Sequence, residues 1–149
     1  MSSGFHVECF KECLRILDED FIKYTEEAKR LAKLFIEIES GDKFCQIFIT
    51  VREHKKCRST QILWSRLIPA YGGRKKVWLQ QMPKGRGYRY PESAFKFLNE
   101  QTKEKVWVFE ERLEVLRFAL ASNRKLARTL KRTINDLERH INRLNGVVE

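Results

Sequence analysis

The chain is poor in the patterns that mark secreted, membrane-spanning and metal-binding proteins. It has no apolar run of about 18 residues, the length that indicates a membrane-spanning helix. Its N-terminus has no charged region followed by an apolar stretch, so we expect no signal peptide and a cytoplasmic location. Its four cysteines lack the paired C-x-x-C spacing of a zinc site, and cytosolic thiols are normally reduced. We therefore expect no disulfide and no metal.

Sequence motifs of enzymes are also absent. There is no G-x-S-x-G, no phosphate-binding P-loop and no H-E-x-x-H. The three histidines are far apart along the chain. Tyr88 and Tyr90 could act as nucleophiles that nick a DNA strand, but without a metal-binding histidine cluster an aromatic contact role is favoured. We predict a protein that is not an enzyme, with no catalytic residues and no cofactor.

Acidic residues are almost missing from one segment. Between Arg52 and Arg89 there are 11 basic residues and a single acid, Glu53. The formal charge of this segment, +10, equals that of the whole chain, because the remaining 19 basic and 19 acidic residues cancel. Aromatic residues, Trp64 and Trp78 among them, are interleaved with the cations. Cations for phosphates and rings for bases are the chemistry of nucleic-acid binding, so the segment predicts a polyanionic partner.

Two segments carry residues spaced alternately three and four apart, which is typical of the apolar seam of a coiled coil. They predict helices over residues 5–40 and 93–145. The first seam comprises Val7, Phe10, Leu14, Leu17, Phe21, Tyr24, Ala28, Leu31, Phe35 and Ile38, and the second Val106, Phe109, Leu113, Leu116, Leu120, Asn123, Ala127, Leu130, Ile134, Leu137, Ile141 and Leu144. Asn123 is the one polar member of the second seam, which indicates a register-setting role. The seams could pair antiparallel within the chain or be shared with a second chain in a homo-oligomer.

Between the helices, three runs rich in β-branched and aromatic residues predict strands over 44–52, 61–68 and 77–82. Their short connections predict an antiparallel meander. The expected fold class is α+β: two long heptad-bearing helices flank a three-stranded antiparallel β-meander. A single domain, residues 1–149, is expected to contain the helix at 5–40, the meander at 44–82, a basic glycine-rich loop at 83–92 and the helix at 93–145.

Alternation along the strands divides the predicted sheet into two faces. An apolar face, expected to pack on the helices, contains Cys45, Ile47, Ile49, Val51, Leu63, Leu67, Val77 and Leu79. A mixed face contains Gln46, Phe48, Thr50, Arg52, Ile62, Trp64, Arg66, Ile68, Trp78 and Gln80. The mixed face could stack bases or enter a DNA groove as a β-ribbon. The alternative is that Trp64 and Trp78 pack under residues 88–95.

The candidate DNA-binding residues combine the mixed face with the basic connections between elements. These connections are too polar to be core, and Gly85 and Gly87 would let the backbone approach a phosphate. The candidates are Arg52, Lys55, Lys56, Arg58, Trp64, Arg66, Arg74, Lys75, Lys76, Trp78, Lys84, Arg86, Tyr88 and Arg89. The alternative is an ordinary solvated surface, which the near absence of compensating acid disfavours.

A second basic stripe follows the C-terminal helix, off the apolar seam. Three of its residues are seven apart, and the whole stripe comprises Arg117, Arg124, Lys125, Arg128, Lys131 and Arg132. It could extend a phosphate track or pair with acids of the first helix such as Asp18 and Glu19. Pairing with the acids is the favoured interpretation.

Three motifs in the middle of the chain resemble the MobI-type mobilisation proteins of conjugative elements. They are Ile49-Thr50-Val51-Arg52, Leu63-Trp64-Ser65-Arg66 and the longer Lys84-Gly85-Arg86-Gly87-Tyr88-Arg89-Tyr90-Pro91-Glu92-Ser93-Ala94-Phe95. With the basic helix that follows, the resemblance spans residues 44–132. It implies a non-enzymatic accessory factor that acts at the origin of transfer and helps a relaxase to start DNA processing.

The leading hypothesis is therefore a DNA-binding accessory protein of conjugation. Its expected partners are origin-of-transfer DNA and a relaxase or other transfer-initiation protein, with no membrane. The alternative is a coiled-coil adaptor or inhibitor whose basic sheet binds an acidic protein. A nuclease or relaxase fragment is disfavoured, because the sequence lacks the carboxylate or histidine cluster that such chemistry needs.

Overall fold

In the computed structural model, which describes residues 2–40, 46–68 and 78–148, two long helices flank a small sheet. In chain order the elements are α1 (Ser2–Ser40), β1 (Ile47–His54), β2 (Ser59–Ile68), β3 (Trp78–Gln81) and α2 (Glu100–Val148), with short 3-10 helices at Lys55–Cys57 and Glu92–Phe95. This arrangement confirms the predicted α+β class. No helix within these ranges is long and apolar enough to cross a membrane.

The chain divides into two compact units, and each long helix contributes to both. The first unit comprises Met1–Lys23 and Ala121–Glu149, and the second unit comprises Tyr24–Leu120. The sheet belongs wholly to the second unit. The expectation of a single domain over residues 1–149 stays a prediction.

In the first unit, the N-terminal part of α1 lies antiparallel to the C-terminal part of α2. Lys11 Nζ is 3.1 Å from Glu138 Oε1, and Asn123 donates from Nδ2 to the main-chain oxygen of Leu17 at 2.8 Å. Asn123, the polar seam residue, is thus buried and bonded to the facing helix. Of the other seam residues in this unit, Ala127 and Ile134 are buried, whereas Leu17 and Leu130 are half-buried. The helices of this unit therefore pair within the chain over a partly wet seam.

In the second unit, the three strands form an antiparallel sheet in the order β1-β2-β3, which confirms the meander. The register pairs Ile47 with Arg66 and Ile49 with Trp64. Cross-strand partners share a face, so Trp64 and Arg66 lie on the inner face with the isoleucines. Leu63 belongs to the outer face instead.

The predicted faces of β2 and β3 are therefore wrong by one residue. The run Ile62-Leu63-Trp64 is apolar at every position, so it carries no period-two signal, and either phase fits the sequence. Leu67 and Leu79 are partners on the outer face, where Leu79 is 53% exposed. Cys45 and Val77, also assigned to the apolar face, lie outside the described residues.

The core of the second unit is built around aromatic side chains from four elements. Trp64 contacts Phe35 of α1 and Phe95 of the second 3-10 helix edge-on, with ring centroids 5.0 and 5.8 Å apart. Phe35 also contacts Phe109 of α2 at 5.2 Å. Edge-to-face contacts of this kind add to the stabilisation from burial. The sheet is thereby held on both helices by one cluster of rings.

The start of α2 differs from the predicted helix over 93–145. Residues Glu92–Phe95 form a short 3-10 helix, which turns Phe95 into the core, and the α-helix begins afresh at Glu100. The side chain of Asn99 accepts a hydrogen bond from the Thr102 N–H at 2.8 Å. Asn99 therefore caps the N-terminus of α2.

Candidate nucleic-acid interface

Two basic connections approach the same end of the sheet. The first basic loop, residues 55–58, joins β1 to β2 and closes that end. β3 runs antiparallel to β2, and the Met82 N–H extends the pairing by donating to the Trp64 oxygen at 2.9 Å. The chain therefore leaves β3 in the direction of the first basic loop. The second basic loop, residues 84–89, begins there.

The first basic loop is a tight turn that presents its lysines outward. Residues Lys55–Cys57 form one turn of 3-10 helix, and Arg58 then adopts the left-handed region at φ 49°. The Arg58 N–H donates to the Lys55 oxygen at 3.3 Å, which closes the turn. A non-glycine residue in this region is uncommon, and here it reverses the chain into β2. The Lys55 and Lys56 side chains are exposed as a result.

The second basic loop folds back on itself. The Lys84 ammonium donates to the main-chain oxygen of Gly87, and burial, together with the nearby Arg117 charge, lowers the pKa of Lys84. Gly85 has φ +83°, a conformation that glycine adopts without strain. Arg86, at the tip, is exposed. Of the three cations in this loop, Arg86 is exposed at the tip, Lys84 is half-buried and Arg89 lies 3.4 Å from the Glu114 carboxylate.

The single acid of the basic segment does not neutralise either loop. Glu53 accepts a hydrogen bond from Lys29 of α1, with Nζ and Oε2 3.0 Å apart. This bond raises the pKa of Lys29. The Glu53 carboxylate is thus paired with a cation from outside the segment.

A buried ion pair on α2 holds the second basic loop against the sheet. Arg117 and Glu110 form a bidentate pair, with N–O distances of 2.8 and 3.0 Å, and both side chains are buried. Arg117 also donates from Nε to the Ile62 oxygen at 2.9 Å and from Nη1 to the Tyr88 oxygen at 2.6 Å. One guanidinium therefore joins α2, β2 and the loop.

The carboxylate of this pair is also fully used. Glu110 accepts from the Trp64 indole N–H at 2.9 Å and from the Tyr90 main-chain N–H at 2.7 Å. The Tyr90 hydroxyl accepts from the Trp64 main-chain N–H and donates to the Met82 oxygen, both at 3.0 Å. Burial raises the pKa of Tyr90, so this hydroxyl keeps its proton. A buried ion pair is tolerated when its remaining hydrogen bonds are satisfied, as they are here. We call Glu110 and Arg117 the clamp.

Trp64 is not accessible for contact with DNA. Its side chain is 0% exposed and its only polar atom is bonded to the clamp. Trp64 packs in the core, as in the alternative that placed it under residues 88–95. The interpretation that it stacks on bases is wrong. A buried indole needs a hydrogen-bond acceptor, which the carboxylate of Glu110 supplies.

The sequence pattern does not predict the clamp. Arg117 falls in the basic stripe off the apolar seam, and Glu110 belongs to no motif. The available signal was a pair of opposite charges seven residues apart, each next to a seam residue, Phe109 or Leu116. Charged residues that flank a seam can be buried when a further layer covers them, and no local pattern reveals that layer.

The other described candidates differ in how far the protein engages them. Arg52 is exposed on the outer face, where its guanidinium contacts the side-chain amide of Gln81, and Tyr88, 43% exposed, forms an edge-on pair with Phe118. Arg66 and Arg89 are engaged with the protein. Arg89 lies 3.4 Å from Glu114, and the Arg66 side chain, on the inner face, bonds to Gln80. Arg74, Lys75 and Lys76, with the side chain of Trp78, lie outside the described part of the chain.

The basic stripe of α2 does not behave as one surface. Arg117 is buried in the clamp. The remaining five residues belong to the first unit, and the favoured interpretation paired them with acids of α1. Among the side chains that the structure describes, none of these forms an ion pair: Arg124, Lys125, Arg128, Lys131 and Arg132. The phosphate-track alternative therefore remains for these five.

No group of three or more histidine, cysteine, aspartate or glutamate residues that could hold a metal ion occurs within the described ranges.

In a comparison with known families, the family model described as MobI protein matches residues 21–131, which is more than half of the chain. The match includes the whole sheet, both basic loops and the clamp. No curated protein and no solved structure matches the chain.

Proposed function

Because the chain belongs to the MobI family of conjugative mobilisation proteins, we propose that it is a DNA-binding accessory factor that acts at the origin of transfer and assists a relaxase. It does so without catalysing a reaction of its own, in the cytoplasm of the donor cell. The relaxase or another transfer-initiation protein is its second partner.

The observation that carries this proposal is the approach of two basic loops to one end of the sheet. Lys55, Lys56 and Arg86 are exposed there. Their only acidic neighbour in the segment, Glu53, is bonded to Lys29. Uncompensated cations grouped on a rigid element favour binding to phosphates, which fixes a protein's position on DNA without reading its sequence.

We assign recognition of the DNA sequence to the outer face of the sheet, near the end that carries the two basic loops. Arg52 and its cross-strand partner Gln61 are both exposed there. Arginine and glutamine side chains can bond to the edges of guanine and adenine in the major groove. This pair replaces Arg66, whose place on the inner face removes it from that surface.

A second phosphate-binding surface is proposed on the first unit. Its five exposed or half-exposed cations, from Arg124 to Arg132, fall within about 120° of the helix circumference at 3.6 residues per turn. Cations on one helix face without ion pairs fit a phosphate track. This surface adds affinity and no sequence preference.

The proposal is tested by fluorescence anisotropy with the element's origin-of-transfer duplex and a random duplex of equal length. We expect tighter binding to the origin duplex. The double variant Lys55→Ala with Lys56→Ala should weaken binding to both by a similar factor, because it removes phosphate contacts alone. The matched control, Lys23→Ala with Lys33→Ala, removes two exposed cations of α1 and should bind as the wild type does. Absence of binding to either duplex would refute the proposal and favour an acidic protein as the partner of the basic sheet.

A further inference from the structure

An open cavity lies at the foot of the second basic loop. Its volume is about 380 Å³, which falls within the range of about 300–1,000 Å³ that is usual for ligand sites. Pro83, which precedes the loop, and Pro91, which follows it, both line the cavity. The loop therefore arches from one wall of the cavity to the other.

Two polar side chains of the sheet enter this cavity. Arg66 donates from Nε to Gln80 Oε1 at 3.1 Å, and its guanidinium carbon lies 4.9 Å from the ring centre of Phe97. The hydrogen bond and the cation–π contact fix the guanidinium from two sides. The two Nη groups of Arg66 and the amide nitrogen of Gln80 then supply donors for a ligand. Donors fixed in this way favour a flat ligand whose edge carries hydrogen-bond acceptors at adjacent positions.

Apart from Ser93 at the rim, the rest of the lining is apolar. Met82 is buried beneath the cavity, and Ala94 and the two prolines complete its walls. Rigid apolar walls with a few fixed polar groups are typical of small-ligand sites. An inorganic phosphate would use the guanidinium and leave these walls without a partner.

We propose that this cavity receives one unpaired nucleobase of DNA. The flat face of the base packs against the prolines, and acceptors on its edge bind Arg66 and Gln80. The neighbouring phosphates then meet the cations of the second basic loop, Arg86 above all. The inference rests on the proposed function and adds to it that the protein binds single-stranded or locally unwound DNA, in which a base is free to leave the stack.

The position of Arg66 also explains why its place on the inner face does not bury it. It sits where β2 and β3 pass the short 3-10 helix, at a gap between the sheet and that helix. Trp64, two residues earlier on the same face, is sealed by the clamp. One strand face thus supplies both the core anchor and the cavity donor.

The test compares labelled oligo(dT) and oligo(dA) strands with the duplex that they form, by fluorescence anisotropy at one salt concentration. We expect the wild type to bind at least one single strand more tightly than the duplex. Ser93→Trp should fill the cavity from its exposed rim and lower single-strand affinity about tenfold, since a stacked base contributes roughly that factor or more. Duplex affinity should stay within about twofold. Gln101→Trp, on an exposed position outside the cavity, is the matched control and should bind like the wild type.

A second variant keeps the test independent of an added ring. Gln80→Ala removes an exposed amide and should reduce single-strand affinity several-fold with an unchanged melting temperature. Duplex preference in the wild type, or single-strand binding unaffected by both Ser93→Trp and Gln80→Ala, would overturn the base-binding inference while leaving the proposed function standing. Absence of binding to any of these DNAs would instead remove the proposed function itself.

Discussion

The two units use the same seam spacing and reach different degrees of burial. In the second unit, Leu31, Phe35 and Leu113 are at most 1% exposed. In the first unit the seam is mixed: Ala127 and Ile134 are buried, whereas Leu17 and Leu130 remain half-buried. The second unit has a sheet and a 3-10 helix as further layers over its helices, whereas the first unit has only two helices. Seam spacing therefore selects the face of a helix, and further layers bury the part of that face which they cover.

Charged residues follow the same contrast. Arg117 and Arg124 lie seven residues apart on α2, outside the seam. Arg117 is covered by β2 and the second basic loop and is 7% exposed, whereas Arg124, in the first unit, is half-buried and forms no ion pair among the described side chains. Arginines that look equivalent in sequence thus have opposite tasks. Arg117 positions a loop, and Arg124 belongs to the surface that we propose as a phosphate track.

The largest expected effect comes from a charge placed in each seam. Leu113→Asp should unfold the second unit, because an unpaired carboxylate in a dry core costs more than about 4 kcal/mol. Leu130→Asp should cost less, about 1–2 kcal/mol, because its side chain is half-buried and the carboxylate can reach water. Thermal unfolding followed by circular dichroism measures both. Equal losses would contradict the difference in burial between the two units.

The next effect concerns the clamp. Arg117→Ala should destabilise the protein by about 3–5 kcal/mol, because it leaves the Glu110 carboxylate buried without its cation. Arg128→Ala, the matched change at an exposed position of the same helix, should alter stability by no more than about 0.5 kcal/mol. Urea unfolding gives both free energies.

A double variant separates the charge from the packing. Glu110→Leu with Arg117→Leu removes both charges, so it should cost less than Arg117→Ala alone. A double variant whose loss equals the sum of the losses from Glu110→Leu alone and Arg117→Leu alone would show that the residues act independently, and the clamp would then not be a unit.

The smallest effect is expected at Asn123. Asn123→Leu should keep the melting temperature or raise it by a few degrees, because the Leu17 oxygen that it bonds to is already a helical acceptor. Without this polar residue the seam should discriminate less between partner helices, so sedimentation should detect more self-association of the protein. A clear fall in melting temperature would show that the Asn123 bond stabilises the pairing more than an apolar contact does.

The sequence was sufficient for features that depend on local pattern. The two helices follow from three-four spacing and the meander from short β-rich runs. The concentration of charge in one segment could be counted directly. These features can be predicted without knowing which elements pack against each other.

Features that depend on a third layer could not be predicted. The run Ile62-Leu63-Trp64 gives no alternation, so the phase of β2 is set by the clamp and the ring cluster around Trp64, which come from distant parts of the chain. Arg117 resembles a surface residue because its burial depends on the loop it binds. The cavity beside Arg66 arises where β3 meets the short 3-10 helix that precedes α2, a meeting that no short pattern encodes.

The measurement that tests the central claim most directly is the salt dependence of DNA affinity. If about five cations of the basic segment meet phosphates, log K against log[salt] should fall with a slope near about −4.5, from roughly 0.9 counterions released per contact. Lys55→Ala with Lys56→Ala should flatten the slope by up to about two, and Lys23→Ala with Lys33→Ala should leave it unchanged. A slope near zero for the wild type, or an equal change in both double variants, would contradict the assignment of DNA binding to this segment.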